Sequence, residues 1–503
     1  MTPAACARCW KTHRSATPSP FAEASTSDLS ISSDSNTIRD LLETVVGLPP
    51  NLFYGTGIPA CILVLRAPHA KPRERAGQVL FINADAEYYA RRAQNYLRPE
   101  HIEKIVSTFE AFRDVERYAR VVTLAELAEN DYNLNVRRYA DNAPPPELHD
   151  VRAHLLGGVP RAEVEAQRAL LDAVGLKPET IFVPRPPIAD GRPAMRDDKQ
   201  QLDVGGLPSA VIPTSYLDFH PGITERAHIK PRIEADPGVQ ARAAHLRDVF
   251  VGWWKAQESH LAALPGSNNL FNVRTDLLDS FQKALLPVGM LDRFQVAGVV
   301  ASWWNEIQYD LKTLAAQGFY GLVDSWIASL RAGVEDEETR SSDDPLEHPL
   351  VRHLLPDYLD RLAALEAAVA DLKARMAEAE QESKVGQDAI LSHSLVEVDS
   401  LRVELRLKRS ELKALQAELL AHLDAARAAL APDEAQALVL EIERERLAAE
   451  LERYVAAQRQ RAIATVENWW DKYRVSLQEI EAEQEEAVKQ MQGFIQELGY
   501  VWF

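Results

Sequence analysis

Residues 14–36 are rich in Ser, Thr and Pro and show no sustained hydrophobic period, so residues 1–36 read as a disordered leader. A pattern begins at Thr37. Ile38, Leu41 and Leu42 predict a short amphipathic helix, and strand signals then arrive in series. Val45, Val46 and Leu48 form a short apolar run stopped by Pro49-Pro50. Residues 60–65 (Ala-Cys-Ile-Leu-Val-Leu) are apolar without interruption, the mark of a strand buried on both faces. A charged, proline-containing turn over 67–77 leads to a third strand at 78–84, and the two predict a hairpin at one side of a sheet. Pro99 opens a helix that sets Ile102, Ile105, Val106 and Phe109 on one face. Three strands are few for a covered sheet, which makes this a small sheet or a part of a larger one.

The pattern changes twice more. Residues 144–236 are loop-rich, with Pro184, Pro186, Pro187, Pro193, Pro208 and Pro213, and read as a linker or wrapping arm around a short helix at 160–174. From Pro237 the period is helical, in a helical domain over 237–345 and a coiled-coil hairpin with further helices over 346–503. Leu362, Leu365, Val369, Leu372 and Met376 alternate spacings of three and four. Val398, Leu401, Leu405, Leu412, Leu415 and Leu419 continue a second seam, and Leu447, Leu451, Tyr454 and Val455 a third. Pro432 parts the second from the third, which predicts an antiparallel hairpin of long helices. The pair Trp-Trp followed by Leu occurs three times, at Trp253-Trp254 to Leu261, Trp303-Trp304 to Leu311 and Trp469-Trp470 to Leu477. On a helix this stacks one Trp and the Leu on one face, either as core anchors or as an exposed hot spot for a partner (Trp303, Trp304, Trp469, Trp470).

Composition narrows the class. With 46% hydrophobic and 26% charged residues the chain has the make-up of a soluble protein, and no apolar run reaches membrane-spanning length. Three cysteines are too few for a disulfide scaffold and suit a reducing cytoplasm. Cys6-x-x-Cys9 with His13 lacks the second pair of ligands that a closed zinc site needs. The net charge of -19 is uneven: residues 1–150 carry 17 basic and 19 acidic side chains, the remainder 39 and 56. The acidity thus belongs to the helical part, chiefly as solvated helix surface.

Residues 47–65, Gly-Leu-Pro-Pro-Asn-Leu-Phe-Tyr-Gly-Thr-Gly-Ile-Pro-Ala-Cys-Ile-Leu-Val-Leu, are followed by Phe81-Ile-Asn-Ala-Asp-Ala-Glu-Tyr-Tyr89. Asn95-Tyr-Leu-Arg98 with Ile102-Glu-Lys-Ile-Val106, and Asp131-Tyr-Asn-Leu-Asn-Val-Arg-Arg-Tyr139, complete four ordered matches. Together they resemble the second half of the methylase domain in modification (M) subunits of type I restriction-modification systems. The resemblance implies an α/β fold, the C-terminal part of a Rossmann-like methyltransferase sheet over 37–143, followed by a mostly α, long helical and coiled-coil region. It implies a DNA adenine-N6 methyltransferase component that uses S-adenosylmethionine. Its partners would be a specificity (S) subunit, a second M subunit, a restriction subunit and double-stranded DNA. The chemistry of that family lies in a Gly-rich cofactor turn and an Asn-Pro-Pro-Phe/Tyr loop, and neither occurs in these 503 residues. This implies an N-terminally truncated subunit that neither binds cofactor nor turns over alone, with no catalytic, cofactor or metal residues to assign. A non-enzymatic assembly module, docking a specificity subunit through its long helices, is the alternative.

The remaining candidates are supporting ones. Phe53, Tyr54, Gly55, Thr56, Gly57, Ile58 and Pro59 combine aromatics with flexible glycines and suit one wall of a target-base pocket, or else simply a packed turn. Arg66, Lys71, Arg73 and Arg75, with Arg91, Arg92, Arg137 and Arg138, are candidate phosphate contacts. Cys61 is expected to be a small buried hydrophobe, Tyr88-Tyr89 to start a helix, and His348 and His353 to be surface residues.

Overall fold

A computed structural model of the chain describes residues 40–498 apart from 68, 93, 144–148, 186–215, 267–269, 336–343 and 386–390. The proposed leader and the Cys6/Cys9/His13 cluster lie outside the described residues.

Four strands form the first sheet: β1 (Leu42–Gly47), β2 (Cys61–Leu65), β3 (Gln78–Asn83) and β4 (Ala119–Thr123), in the order β2-β1-β3-β4. β1 runs parallel to β3, with Val45 opposite Phe81, and antiparallel to β2, with Val45 opposite Leu63. β4 closes the far side antiparallel to β3. Three expectations are corrected here. Leu42 belongs to β1 and not to a helix. The expected hairpin of the second and third strands does not form, because β1 lies between them. β2 is an edge strand with Cys61, Ile62 and Leu65 exposed, so neither the strand nor Cys61 is buried as its apolar composition suggested. Composition sets what burial a strand can tolerate; its place in the pairing order decides whether burial happens.

Period-2 alternation divides the sheet's side chains between two cores. Val45, Val79, Phe81 and Val122 meet the helices α2 (Leu124–Glu129) and α3 (Val136–Tyr139), while Val46, Leu80 and Ile82 meet α1 (Pro99–Ala111) through Ile105 and Phe109. Both faces of this small sheet are therefore covered. The closing motif 131–139 is structural: the Tyr139 hydroxyl donates to Asn133 O at 2.8 Å and its ring lies 4.3 Å from that of Phe81.

The described residues 149–185 and 216–236 form a folded unit rather than the expected linker. α4 (Val151–Leu156), β5 (Val159–Pro160), α5 (Arg161–Ala166), α6 (Arg168–Val174), α7 (Pro178–Ile181), β6 (Phe182–Pro184), β7 (Tyr216–Phe219) and α8 (Ile229–Glu234) make a small α+β unit with strand order β5-β7-β6. Pro160 and Pro184 lie at strand ends and Pro178 at a helix start, where proline costs little, while Pro186, Pro187, Pro193, Pro208 and Pro213 lie outside the described residues. Its core (Leu171, Leu176, Ile181, Ile229, Ile233) is completed by Ile463, Val466, Trp469 and Tyr473 from near the end of the chain. Gly175, at φ +82°, touches Gly238 backbone to backbone: a Cβ there would sit 2.5 Å from Gly238 O.

The helical body comprises α9 (Pro237–Ala262), α10 (Leu270–Leu285), α11 (Arg293–Glu335), α12 (Pro349–Leu354), α13 (Pro356–Val385), α14 (Leu391–Ala417), α15 (Leu419–Ala429), α16 (Pro432–Tyr473) and α17 (Leu477–Glu497). α13 and α14 pair through Val369, Leu372, Leu401 and Leu405. The hairpin therefore joins the first and second seams; the third, on α16, packs against α11. Two helices of similar period are interchangeable as sequence, and which apolar faces meet, here Val369 and Leu372 with Leu401 and Leu405, settles the pair.

The first sheet is fixed to this body through α1. Glu100 accepts hydrogen bonds from Ser302 Oγ at 2.9 Å and Arg453 at 3.3 Å, and Glu103 one from Arg274 at 2.7 Å. Gly298 on α11 permits the approach: a Cβ there would fall on the Tyr454 hydroxyl and 2.9 Å from Glu100 Cβ.

Candidate functional site

The loop between β1 and β2 is built from its turn residues. Leu48 is buried and its N–H donates to Ala60 O at 2.9 Å, so the loop opens and closes on the sheet. Asn51 adopts φ 60° and Gly55 φ 79°, left-handed conformations that Asn and Gly tolerate. They bring Phe53 and Thr56 together as an isolated bridge, and Thr56 Oγ1 accepts the Ile58 N–H at 3.2 Å. Tyr54 is 96% exposed, and Phe53, Gly57, Ile58 and Pro59 also face solvent. Phe53 is thus not packed beneath the sheet. The loop presents two aromatics and an isoleucine outward, with glycines that place no side chain between them.

A second segment braces this loop. Asn95 donates from its backbone to Asn51 O at 2.8 Å and from its side chain to Pro50 O at 2.9 Å, and Gln94 donates to Leu52 O. On the same segment Tyr89 and Tyr96 exchange backbone hydrogen bonds at 2.8 and 3.0 Å, which replaces the helix start expected at Tyr88-Tyr89. The Arg98 guanidinium lies 3.5 Å from the Tyr89 ring centre, and Arg91 lies 5.9 Å from Tyr89 and 5.5 Å from Tyr96. This tyrosine–arginine platform was missed in the sequence, where a Tyr and an Arg several residues apart carry no helical or strand period. The Tyr89–Tyr96 bridge creates it.

The basic candidates divide by their partners. Arg66 and Arg75 converge on the fully buried Glu43 at 2.6 and 3.1 Å, and Arg75 also donates to Glu110 O at 2.8 Å. Lys71 is buried, donating to Asp40 at 2.8 Å, to Leu42 O at 2.9 Å and to Gln78 O at 2.5 Å. Arg137 pairs with Asp85 at 2.6 Å and Arg138 donates to Asn130 at 2.9 Å. Arg73, Arg91 and Arg92 are exposed. Three of the expected phosphate contacts, Arg66, Lys71 and Arg75, therefore hold the sheet's end together, because the buried Glu43 and the neighbouring Asp40 must be compensated.

The tryptophans face inward, as core anchors rather than as the alternative, an exposed hot spot for a partner. Trp303 is buried, donates to Glu443 O at 3.1 Å and meets Trp254 edge-on at 6.3 Å. Trp304 packs half-buried against the same core. Trp469 and Trp470 contact Phe182 and Phe219 of the small α+β unit at 5.8 and 4.9 Å.

Burial perturbs groups in the helical body. It pushes the Glu443 carboxyl up to about 8 despite Arg446 at 3.0 Å, and the His348 imidazole down to about 4. His348 accepts the Leu350 N–H at 3.1 Å as a helix cap, and His353 faces Glu445 at 3.2 Å. Both are packing groups far along the chain from the loop. Among the described residues no cluster of His, Cys, Asp and Glu is placed to hold a metal, and no helix is long and apolar enough to cross a membrane.

Among the described residues, the loop after β1 is not shaped to hold a nucleoside cofactor such as S-adenosylmethionine. The loop after β1 opens no helix whose N-terminus faces it, and its aromatics stand in solvent rather than around a cleft. A cavity of about 310 Å³, lined among others by Gly158, Arg185, Phe219, Tyr473 and Arg474, lies instead at the small α+β unit.

Comparison with known proteins places the likeness on this sheet. Residues 35–147 match the family model "N-6 DNA Methylase". Two type I restriction enzyme methylase subunits of Methanocaldococcus jannaschii, MjaVII and MjaVIII, are 41% and 44% identical over 120 and 115 residues. These alignments cover 23% and 22% of this chain, and 20% and 19% of the relatives. The MpnII methylase subunit of Mycoplasma pneumoniae is 31% identical over 114 residues, 23% of this chain and 20% of its own. A solved methyltransferase subunit of a type I restriction-modification system from Streptococcus thermophilus shares 35% identity over 21% of each chain, with a TM-score of 0.19. The chain thus spans about a fifth of the length of the curated relatives it matches. Within that span, residues 35–147 are similar to N-6 adenine DNA methylase M subunits of type I restriction-modification systems.

Proposed function

We propose that this chain is an M-subunit-like component of a type I restriction-modification DNA adenine-N6 methyltransferase, and that it transfers no methyl group by itself. The observation that carries the first half is the match of residues 35–147, at up to 44% identity, to methylase subunits. The second half rests on the missing Gly-rich turn and Asn-Pro-Pro-Phe/Tyr loop, and on the exposed loop after β1. In an assembled enzyme Phe53 and Tyr54 would form one wall of the target-base pocket, with Gly55, Thr56, Gly57 and Pro59 shaping the turn. A flipped base is held by stacking, and an exposed aromatic on a braced loop is suited to it. Exposed Arg73, with Arg137 and Arg138 at the other end of the sheet, would meet DNA phosphates; Arg66, Lys71 and Arg75 would act by holding the end of β1. S-adenosylmethionine would be bound by a complementing methylase segment, and the specificity subunit, a second M subunit and the restriction subunit would complete the complex in the cytoplasm.

The alternative role, an assembly module, is favoured by one observation: the sheet is fixed to a much larger helical body through Glu100 and Glu103. A methylation assay with labelled S-adenosylmethionine separates the two. The purified chain is expected to be inactive on DNA and to gain activity with a specificity subunit plus a polypeptide carrying the cofactor and Asn-Pro-Pro-Phe/Tyr segments. Turnover by the chain alone would refute incompetence; no activity in the full mixture, with retained binding of the specificity subunit, would favour the assembly module.

A further inference from the structure

α17 follows α16, whose end (Trp469, Trp470, Tyr473) packs into the small α+β unit. Ser476 and Glu479 form a reciprocal capping box, the Ser476 Oγ accepting the Glu479 N–H at 3.2 Å and the Glu479 carboxylate the Ser476 N–H at 2.9 Å. From that root the helix buries none of its residues. Leu477, Ile480, Ala487, Met491, Phe494 and Leu498 recur at spacings of three and four, broken only at Gln484, and all are exposed, Phe494 by 63%. At 1.5 Å per residue the stripe is about 30 Å long. The same spacing on α13 and α14 is covered, with Leu372 and Leu405 each 4% exposed. An uncovered seam of this length exposes more apolar surface than a lone helix supports in water.

The polar face says what kind of chain covers it. α17 carries six glutamates (Glu479, Glu481, Glu483, Glu485, Glu486, Glu497) against one lysine, Lys489. Glu481, Glu483 and Glu497 flank the stripe, where a paired helix places its own edge residues. A second copy would set these glutamates against their like, and an anionic lipid surface would repel them. We propose that α17 is the docking element for a basic amphipathic helix of a different chain, with leucine or isoleucine in its seam and lysine or arginine along both edges. The surface lies outside residues 35–147 and does not depend on the methylase reading.

The test titrates the full chain with two labelled helical peptides of equal length and identical apolar seam, one with Lys and Arg at the edge positions, the other with Glu. The basic peptide is expected to bind, weakening as salt is raised, and the acidic one to fail. Phe494→Asp should lower affinity about tenfold or more and Phe494→Leu should preserve it. Because Phe494 is exposed, both variants should retain the parent's circular dichroism and urea midpoint. Equal binding of both peptides, binding of neither, or loss of binding only together with loss of fold would overturn the proposal. So would concentration-dependent dimers in light scattering that Phe494→Asp abolishes, or binding of the chain to phosphatidylglycerol vesicles through this helix.

Discussion

Glu443 offers the most quantitative test of how the helical body is held together. Its carboxyl is buried between α16 and α11, one oxygen 3.0 Å from Arg446 and the other without a hydrogen-bond partner among the described residues. Burial outweighs the nearby guanidinium and lifts the group from the ordinary 4.5 to about 8. Between those values the unfolded chain carries Glu443 ionised and the folded chain carries it protonated. The folded state therefore holds one more proton, and stability falls as pH rises, by roughly 1.4 kcal/mol per pH unit. Glu443→Gln removes the titration while keeping the shape, and Arg446 retains Asp310 at 2.8 Å. The variant should match the parent near pH 4.5 and exceed it by a few kcal/mol, on the order of 3–5, at pH 8 and above. Urea unfolding followed by tryptophan fluorescence across that range reads the difference, since Trp303 donates to the Glu443 carbonyl. A difference independent of pH, or a variant less stable than the parent at pH 8, would mean that Glu443 is ionised and that its pairing with Arg446 dominates.

Four further variants test the packing. Glu43→Ala leaves Arg66 and Arg75 facing an empty buried position and should cost about 3–5 kcal/mol in the unfolding of the first sheet, measured by hydrogen exchange of β1 and β3. Trp303→Ala should cost about 3–5 kcal/mol in chemical denaturation, while Tyr54→Ala, wholly solvent-facing, should stay within about 0.5 kcal/mol. Gly298→Val drives a side chain into Tyr454 and Glu100; it should detach the first sheet from α11, seen as faster proteolysis between the two with the helical content retained.

Much of the candidate site was legible where local chemistry suffices. Pro99 at a helix start, the glycine turn at Gly55 and the apolar run of β3 all follow from residue preferences acting over a few positions. Four ordered motifs were enough to point to the methylase family, and they fall inside the matched segment. What failed were statements about neighbours. Residues 60–65 look like a central strand, yet β1 takes the central place and leaves them at the edge. Arg66, Lys71 and Arg75 look like free basic residues because Glu43 and Asp40 are more than twenty residues away in sequence. The adjacent tryptophans suit a core more readily than a surface, and the partner elements decide it.

By itself the sequence determined the apolar strands β1, β2 and β3, the helical period after Pro237 and the acidic excess of the helical part, because each is a property of contiguous residues. Tertiary structure alone decided which helices pair, which strand is left at the edge, and which charges are consumed in holding the fold. Those outcomes depend on which apolar faces meet first and most completely. The loop after β1 and the length of α17 remain outward because nothing else in the described chain covers them.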